Sequence, residues 1–131
     1  MNPIVQTAFE QAKATRENAY AKFSNFLVGS AIKLKGSDEI YTGCNVENST
    51  YGLTICAERT AITKAVSLKG KIDIDFVVVV ADTPEPTFPC GMCRQTICEF
   101  GTDDTKIYLA NLEGIQKETT LKEIFPDGFR L

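Results

Sequence analysis

The stretch FVVVVADTPEPTFPCGMCRQ, residues 76–95, joins an apolar run to a proline-rich loop and a pair of cysteines. Its first five residues are all apolar, which is typical of a strand that is buried on both faces of a sheet. Three of the five prolines follow within residues 81–89, and because proline fixes the backbone we expect a stiff loop there. The next residues predict a helix from Gly91 to Phe100. A buried strand followed by a loop and a helix favours an α/β fold.

The remaining chain continues the alternation of helices and strands on both sides of this stretch. Upstream, apolar spacing and turn residues predict a helix over 3–20, strands over 28–35 and 40–46, and a helix from Cys56 to Gly70. Downstream, we expect a strand over 106–111, a short strand over 115–118, and a final helix from near Thr119 with TLKE (120–123) as a capping box. Residues 1–131 are therefore predicted to form one α/β domain around one mixed sheet of five strands.

Charge and hydropathy argue against several classes of function. The chain has 14 basic and 17 acidic side chains, a net charge of −3, whereas nucleic-acid binders normally depend on a basic face. The longest apolar run is too short to cross a bilayer, and the first residues do not resemble a signal peptide. We therefore expect no nucleic-acid partner, no membrane partner and a cytoplasmic location.

The cysteine and histidine counts restrict the possible chemistry. Five cysteines are present, and in a reducing compartment they are more often metal ligands, catalytic groups or buried thiols than disulfides. Histidine is absent, which excludes a Ser-His-Asp triad, a Cys-His pair, an HExxH zinc site and a two-Cys-two-His finger. Proton transfer near neutral pH must use a carboxylate, a thiol, a lysine or a water molecule on a metal.

Three of the cysteines stand at the starts of two predicted helices. Cys56 precedes one helix, and Cys90 and Cys93 begin the next. A helix N-terminus lowers the pKa of a thiol through its dipole and its free N–H groups. Three converging thiolates would hold one Zn²⁺ per chain, and three protein ligands with a fourth open position are typical of a catalytic zinc site.

Charged residues beside these cysteines fit that hypothesis. Glu58 lies two residues beyond Cys56, where its carboxylate could take a proton from water and pass it to a leaving group. Three thiolates leave a net negative charge on Zn²⁺, which weakens its effect on water. Arg59 and Arg94 lie close to the cysteines in sequence and would offset that charge.

Other interpretations of the cysteines remain open. The Cys90–Cys93 pair could be a redox dithiol, or Cys44 or Cys98 could complete a structural four-cysteine zinc site in a non-catalytic binding module. Against this, Cys98 lies five residues beyond Cys93 in the same helix and should point elsewhere, and Cys44 is more typical of a small buried hydrophobe in a strand. A structural site would also leave the glutamate and both arginines unexplained.

Larger segments of the chain resemble a known family. CAE (56–58) and PCGMC (89–93) match the three-cysteine signature of zinc deaminases. FSNFLVGSAI (23–32), YTGCNVENSTYGLTICAERTAI (41–62) and IFPDGF (124–129) closely resemble the small homotetrameric cytidine deaminases. The resemblance extends over residues 3–129. It implies a three-layer α/β/α sandwich around one mixed five-stranded sheet, and zinc-dependent deamination of cytidine and deoxycytidine to uridine and deoxyuridine with release of ammonia, in pyrimidine salvage.

The resemblance also implies roles for individual residues. It makes Cys56, Cys90 and Cys93 the zinc ligands and Glu58 the group that moves protons to the ring N3 and to the departing amino group. For the substrate it implies sugar hydrogen bonds from Asn45 and Glu47, an aromatic contact from Phe26, a backbone N–H donor at Ala57 and base stacking by Phe129 of a neighbouring subunit. It implies that Arg59 and Arg94 donate to the ligand sulfurs.

Each substrate contact has a simpler competing interpretation. Phe26 and Phe129 could be core aromatics, Asn45 a turn former and Glu47 a solvated charge. Two residues depart from the family pattern: Phe88 replaces a small hydroxyl residue, and Met92 replaces alanine.

Two other kinds of deaminase compete with the nucleoside enzyme. Deaminases of blasticidin-type antibiotics share the three cysteines but lack the Asn-x-Glu sugar contact. Polynucleotide and tRNA deaminases typically supply histidine as the first ligand and need a basic surface. This chain has the sugar contact and lacks histidine, so an ordinary nucleoside is the favoured substrate.

Overall fold

The computed structural model describes residues 2–131 and contains a mixed five-stranded sheet with helices on both faces. This confirms the predicted three-layer α/β/α architecture. The sheet has the strand order β2-β1-β3-β4-β5. The elements in chain order are α1 (Pro3–Arg16), β1 (Val28–Leu34), β2 (Ile40–Cys44), a short 3₁₀ turn (Tyr51–Leu53), α2 (Ala57–Lys69), β3 (Ile74–Ala81), α3 (Gly91–Phe100), β4 (Lys106–Ala110), β5 (Ile115–Thr120) and α4 (Leu121–Ile124).

The strand directions bring the starts of two helices to one edge of the sheet. β1 is antiparallel to both β2 and β3, and β3 is parallel to β4, so β2, β3 and β4 run in the same direction. α2 follows β2 and α3 follows β3. Each of these helices therefore begins near the carboxyl end of a parallel strand, which is where α/β sheets usually place their binding sites.

The core lies on both faces of β3, as the apolar run predicts. Val77 and Val79 pack into a cluster with Ile62 of α2 and Ile97 of α3. The alternate residues of the strand face α1, where they pack against Phe9. Those residues are Phe76, Val78 and Val80.

A glycine fixes how closely α2 lies against the edge strand. A Cβ atom at Gly43 of β2 would lie 2.4 Å from the Ala61 nitrogen and 2.6 Å from the Ala57 carbonyl oxygen. Any larger residue would therefore push the first turns of α2 away from the sheet. The position of this helix N-terminus depends on that contact.

One predicted helix boundary was wrong and another was confirmed to within two residues. α1 ends at Arg16, not at residue 20, because Tyr20 forms a β-bridge with Val46. The last helix was expected from near Thr119, begins at Leu121 and has four residues. Its predicted cap at Thr120 is confirmed, since the Thr120 hydroxyl accepts from the Glu123 N–H at 3.3 Å. Within residues 2–131, the helices are too short or too polar to cross a membrane.

Candidate metal centre and active site

Three cysteine sulfurs meet where α2 and α3 begin. Cys56 is the N-cap of α2, Cys90 is the N-cap of α3, and Cys93 lies in the first turn of α3. Their Sγ atoms lie within 4.8 Å of one another, and those of Cys56 and Cys90 are 3.6 Å apart. Tetrahedral Zn²⁺ with Zn–S bonds of about 2.3 Å requires sulfurs about 3.8 Å apart. The three thiols therefore fit a zinc ion with three protein ligands.

The protonation of two of these thiols is coupled. Hydrogen bonding from Cys93, and then from Arg59 and Cys90, lowers the pKa of Cys56 to about 5 against the opposing effect of burial. The hydrogen bond to Cys56, together with burial, raises the pKa of Cys93. Without a cation the cluster stabilises one thiolate at the expense of another. A bound metal ion removes the proton from a coordinating thiol.

Glu58 is a buried carboxyl group beside the cysteines. Its side chain follows Cys56 by two residues, it is 4% exposed, and it lines the same cavity as Cys56 and Cys90. Burial, with a smaller contribution from the Cys56 thiolate, raises the pKa of Glu58 to about 7. A carboxyl group with such a pKa can both accept and donate a proton near neutral pH.

A cavity of about 280 Å³ opens in front of Glu58. Its size suits a small molecule, and its wall combines apolar side chains with a few polar groups. The predicted residues Phe26, Asn45, Glu47 and Ala57 line it. Sequence reasoning missed other lining residues: Ser24, Val28, Thr54, Val79 and Thr87.

A larger surface hollow of about 710 Å³ lies away from this site, beside the start of α1. Its lysines are already paired, Lys33 with Asp75 at 2.8 Å and Lys106 with Glu118 at 3.1 Å. The smaller cavity is therefore the candidate active site, because it adjoins the cysteines and the buried carboxyl group.

Asn45 and Glu47 hold the loop that precedes β1. Asn45 Oδ1 accepts from the Val28 N–H at 2.9 Å, and its Nδ2 donates to the Phe26 carbonyl at 2.8 Å. Glu47 Oε1 accepts from the N–H groups of Phe23 at 2.9 Å and Ser24 at 3.1 Å. The hydrogen bond from the Ser24 hydroxyl is the main cause that lowers the pKa of Glu47. Both polar residues therefore support the wall of the cavity as well as facing it.

The two arginines have different partners. Arg59 Nη2 donates to Cys56 Sγ at 3.6 Å and to the Thr54 carbonyl at 3.1 Å. Arg94 differs from the expectation that it donates to a ligand sulfur: its donors reach backbone carbonyls among the described residues, Pro89 O at 2.7 Å and Ile124 O at 2.6 Å. The reason is that its side chain points toward the loop before α3 and toward α4.

Phe129 lies outside the cavity of its own chain, within residues 2–131, and its side chain is 64% exposed. Gln95 of α3 holds its backbone, since Gln95 Nε2 donates to the Phe129 carbonyl at 2.7 Å.

The two residues that depart from the family pattern have different surroundings. Phe88 lines the cavity, and the Arg94 guanidinium lies 5.9 Å from its ring centre. Met92 is largely exposed.

Ala57 lies at the start of α2, and the two cysteines outside the cluster lie elsewhere in the fold. Ala57 is the first residue of α2, where a backbone N–H has no carbonyl partner within the helix. Among the described residues, the thiols that converge are those of Cys56, Cys90 and Cys93. Cys98 lies on the buried face of α3, and Cys44 is half-buried on β2.

Known proteins share this sequence and this fold. The family model for the cytidine and deoxycytidylate deaminase zinc-binding region matches residues 3–109. A cytidine deaminase of Halalkalibacterium halodurans is 47% identical over 124 residues, which cover 95% of this chain and 92% of the relative. A cytidine deaminase of Sporosarcina psychrophila is 46% identical over 125 residues, with 95% and 90% covered. The crystal structure of a cytidine deaminase from Burkholderia pseudomallei superposes with a TM-score of 0.85 at 40% identity, and covers 95% of this chain and 98% of that one.

Proposed function

Because this chain belongs to the family of zinc-binding cytidine and deoxycytidylate deaminases, we propose that it hydrolyses cytidine and deoxycytidine to uridine and deoxyuridine with release of ammonia. The observation that carries this proposal is the meeting of three thiols with a buried carboxyl group at the end of a small cavity. The family membership and the relatives of 46–47% identity support the same reaction.

The metal belongs to the three thiols. Cys56, Cys90 and Cys93 would hold one zinc ion per chain, in agreement with the zinc-binding region of the family model. Zinc in such a site acts as a Lewis acid that lowers the pKa of a water molecule toward neutrality. The Arg59 guanidinium on Cys56 Sγ reduces the negative charge of the thiolates, which favours that effect.

Glu58 moves the protons of the reaction. Its carboxylate takes one proton from the attacking water and delivers it to the ring N3. It then takes the second proton of that water, from the hydroxyl group formed at C4, and passes it to the amino group, which leaves as ammonia. To act as both proton acceptor and proton donor, Glu58 needs a pKa near neutrality, and burial raises its pKa to about 7. One water molecule is consumed, the C4–N bond breaks, and the base becomes uracil.

The cavity wall holds the nucleoside. The Ala57 N–H donates to the pyrimidine carbonyl, Phe26 packs against the nucleoside, and Asn45 and Glu47 bind the sugar hydroxyls. Support comes from the place of all four residues in the lining of the cavity. Apolar neighbours such as Val28 and Val79 exclude water from the base.

The shared active site of a homotetramer is part of the proposal. Phe129 is exposed, lies outside its own cavity in the described chain, and has its backbone held by Gln95, so its ring is presented to a neighbouring molecule. Stacking of an aromatic side chain on a base contributes about 1–3 kcal/mol in nucleic-acid-binding proteins. We expect Phe129→Ala to raise the KM for cytidine.

Mixed oligomers test that arrangement. Chains carrying Glu58→Ala and chains carrying Phe129→Ala are unfolded and refolded together. If the aromatic serves the neighbouring subunit, some sites combine an intact Glu58 with an intact Phe129, and activity exceeds the sum of the separate variants. Verified mixed oligomers without this gain would contradict the shared site.

The cellular setting is a further part of the proposal. One domain over residues 1–131 acts in the cytoplasm, in pyrimidine salvage. The ligand thiols must stay reduced to bind metal, which fits a reducing compartment.

A direct assay tests the reaction. The purified protein, loaded with one equivalent of zinc, should convert cytidine to uridine, as followed by the loss of the cytidine absorbance band and the appearance of ammonia. The same protein after chelation and removal of zinc is the matched control and should be inactive. A zinc-loaded, folded protein that leaves cytidine unchanged would contradict the proposed function.

A further inference from the structure

We propose that Ser24 is a positioning residue of the active site, which orients the Glu47 carboxylate and the Phe26 peptide toward the sugar of the bound nucleoside. This inference rests on the proposed function and extends it to a residue that the sequence analysis did not assign to the site.

One hydroxyl group connects two parts of the cavity wall. The Ser24 hydroxyl donates to the Glu47 carboxylate and accepts from the Phe26 N–H at 3.0 Å. All three residues line the cavity. Ser24 therefore joins the segment after β2, which carries Glu47, to the segment before β1, which carries Phe26.

The hydrogen bonds of Glu47 leave it one free direction. A carboxylate has about four acceptor positions on its two oxygens. Three are used by the Ser24 hydroxyl and by the N–H groups of Phe23 and Ser24. The remaining acceptor position of the carboxylate can accept a hydroxyl group of a ligand. The hydrogen bond from Ser24 determines the direction in which this free position points.

The Phe26 peptide is held from both sides. Its N–H donates to Ser24, and its carbonyl accepts from Asn45 Nδ2 at 2.8 Å. The intervening Asn25 has φ +57°, a left-handed conformation that asparagine tolerates better than most residues. This turn returns the Phe26 N–H to the hydroxyl two residues earlier. Loss of the Ser24 hydroxyl would leave the Phe26 N–H without this partner, and the aromatic ring of Phe26 would no longer be held in one orientation.

The effect of losing this hydroxyl should fall on the sugar and not on the base. In Ser24→Ala, Glu47 keeps its two backbone donors, so the loop stays folded. Its second oxygen loses its hydrogen bond and can turn away from the sugar. Among the described residues, Ser24 makes no hydrogen bond to Glu58, Ala57 or the cysteines, so the chemical step should be preserved.

The test compares two substrates. Cytidine has the 2′ and 3′ hydroxyls of the sugar, and 2′,3′-dideoxycytidine lacks both while keeping the 5′ hydroxyl. We expect Ser24→Ala to raise the KM for cytidine about tenfold, the effect of one charge-assisted hydrogen bond, with kcat changed less than about threefold. The KM for 2′,3′-dideoxycytidine should change less than about twofold, and Ser24→Thr, which keeps the hydroxyl, should restore the KM for cytidine.

The chain offers a matched control. The Ser37 hydroxyl also accepts a backbone N–H two residues later, at 3.0 Å, and contacts the carboxylate of Glu39 at 3.4 Å. It lies in the turn between β1 and β2, outside the cavity lining. Ser37→Ala should leave both KM values unchanged. Ser24→Cys, with a weak donor of similar size, gives the same comparison if Ser24→Ala does not fold.

The outcomes separate the two proposals. An equal rise of KM for both substrates, or no rise for either, would overturn the positioning role of Ser24 while leaving the deaminase function in place. A folded, zinc-loaded wild-type protein that does not deaminate cytidine would overturn the proposed function, and the role of Ser24 with it.

Discussion

The N-termini of α2 and α3 share a backbone design and differ in chemistry. Each helix is capped by a cysteine in an extended conformation, Cys56 with φ −72° and ψ 158° and Cys90 with φ −67° and ψ 169°. In the described structure neither cap side chain bonds the first turn, whereas serine or aspartate at this position normally would. Both sulfurs are therefore free to point at a common ligand.

The first turns that follow these caps differ. The second helical residue of α2 is Glu58, which is buried, and the equivalent residue of α3 is Met92, which is 60% exposed. Arg59 contacts a ligand sulfur, whereas Arg94 binds backbone carbonyls. Under the proposed function, one backbone arrangement serves both helices as a metal-binding start, while the side chains of the first turn assign the proton chemistry to α2 and the attachment of loops to α3.

The largest loss of activity should follow from replacing either of the two N-cap cysteines. Cys56→Ala and Cys90→Ala each remove a ligand, and two thiols should not retain zinc at catalytic strength. We expect loss of bound zinc, measured by atomic emission, and a fall in the rate of at least about 10³-fold. The two variants should be equivalent. A cap variant that stays fully active without zinc would refute the metal assignment.

The second largest effect on kcat should distinguish the first turn of α2 from the first turn of α3. Glu58→Gln removes the proton-transfer group but keeps its size, so zinc and nucleoside should still bind. We expect kcat to fall by at least about 10²–10⁴-fold, the usual contribution of a general acid–base group. The matched control is Met92→Gln, at the same position of α3, which should change kcat less than about threefold. A Glu58→Gln enzyme within about tenfold of wild type would show that another group moves the proton.

The two arginines provide a smaller contrast. Arg59→Gln removes the donor to the Cys56 sulfur, and loss of a group that supports a metal ligand typically costs about 10–100-fold in metal affinity or activity. Arg94→Gln loses its bonds to Pro89 and Ile124 instead. We expect it to lower the Tm by several degrees and to change the rate less than about fivefold. If Arg94→Gln weakened zinc binding as much as Arg59→Gln did, the two helix starts would share this role.

The sequence predicted the layers of the fold because their causes are local. Alternation in β1, the apolar run of β3 and the turn residues between them depend on spacing alone. The predicted end of α1 was wrong because the true end depends on a residue distant in sequence. The Tyr20 N–H donates to the Asn45 carbonyl at 3.0 Å, and no local sequence pattern indicates that pairing.

The candidate site was predictable to a similar extent. The positions of Cys56, Cys90 and Cys93 at two helix starts follow from spacing and from the order of elements. The partners of Arg94 were not predictable, since they depend on which carbonyl groups the fold places nearby. The role of Ser24 in holding Glu47 was missed for the same reason, because the two residues are separated by 23 positions in sequence.

The smallest effect should come from the cysteines outside the cluster. Cys98 lies in α3 five residues beyond Cys93, is 1% exposed and packs against the core. A Cβ atom at Gly128 would lie 2.7 Å from its sulfur, so the thiol fills space next to the last residues of the chain. Cys98→Ala should therefore lower the free energy of unfolding by about 1 kcal/mol, through the small cavity it leaves. It should keep one zinc per chain, with a rate within about twofold of wild type.

Cys44→Ala, at a half-buried position on β2, should cost less stability than Cys98→Ala because fewer atoms surround the thiol. Metal analysis and thermal unfolding of both variants measure these outcomes. If either variant lost zinc, the four-cysteine alternative would be restored and the open fourth position, on which the catalytic interpretation depends, would be filled by a thiol. A loss of stability without a loss of zinc instead limits the metal centre to the two helix starts and leaves the other thiols as packing groups.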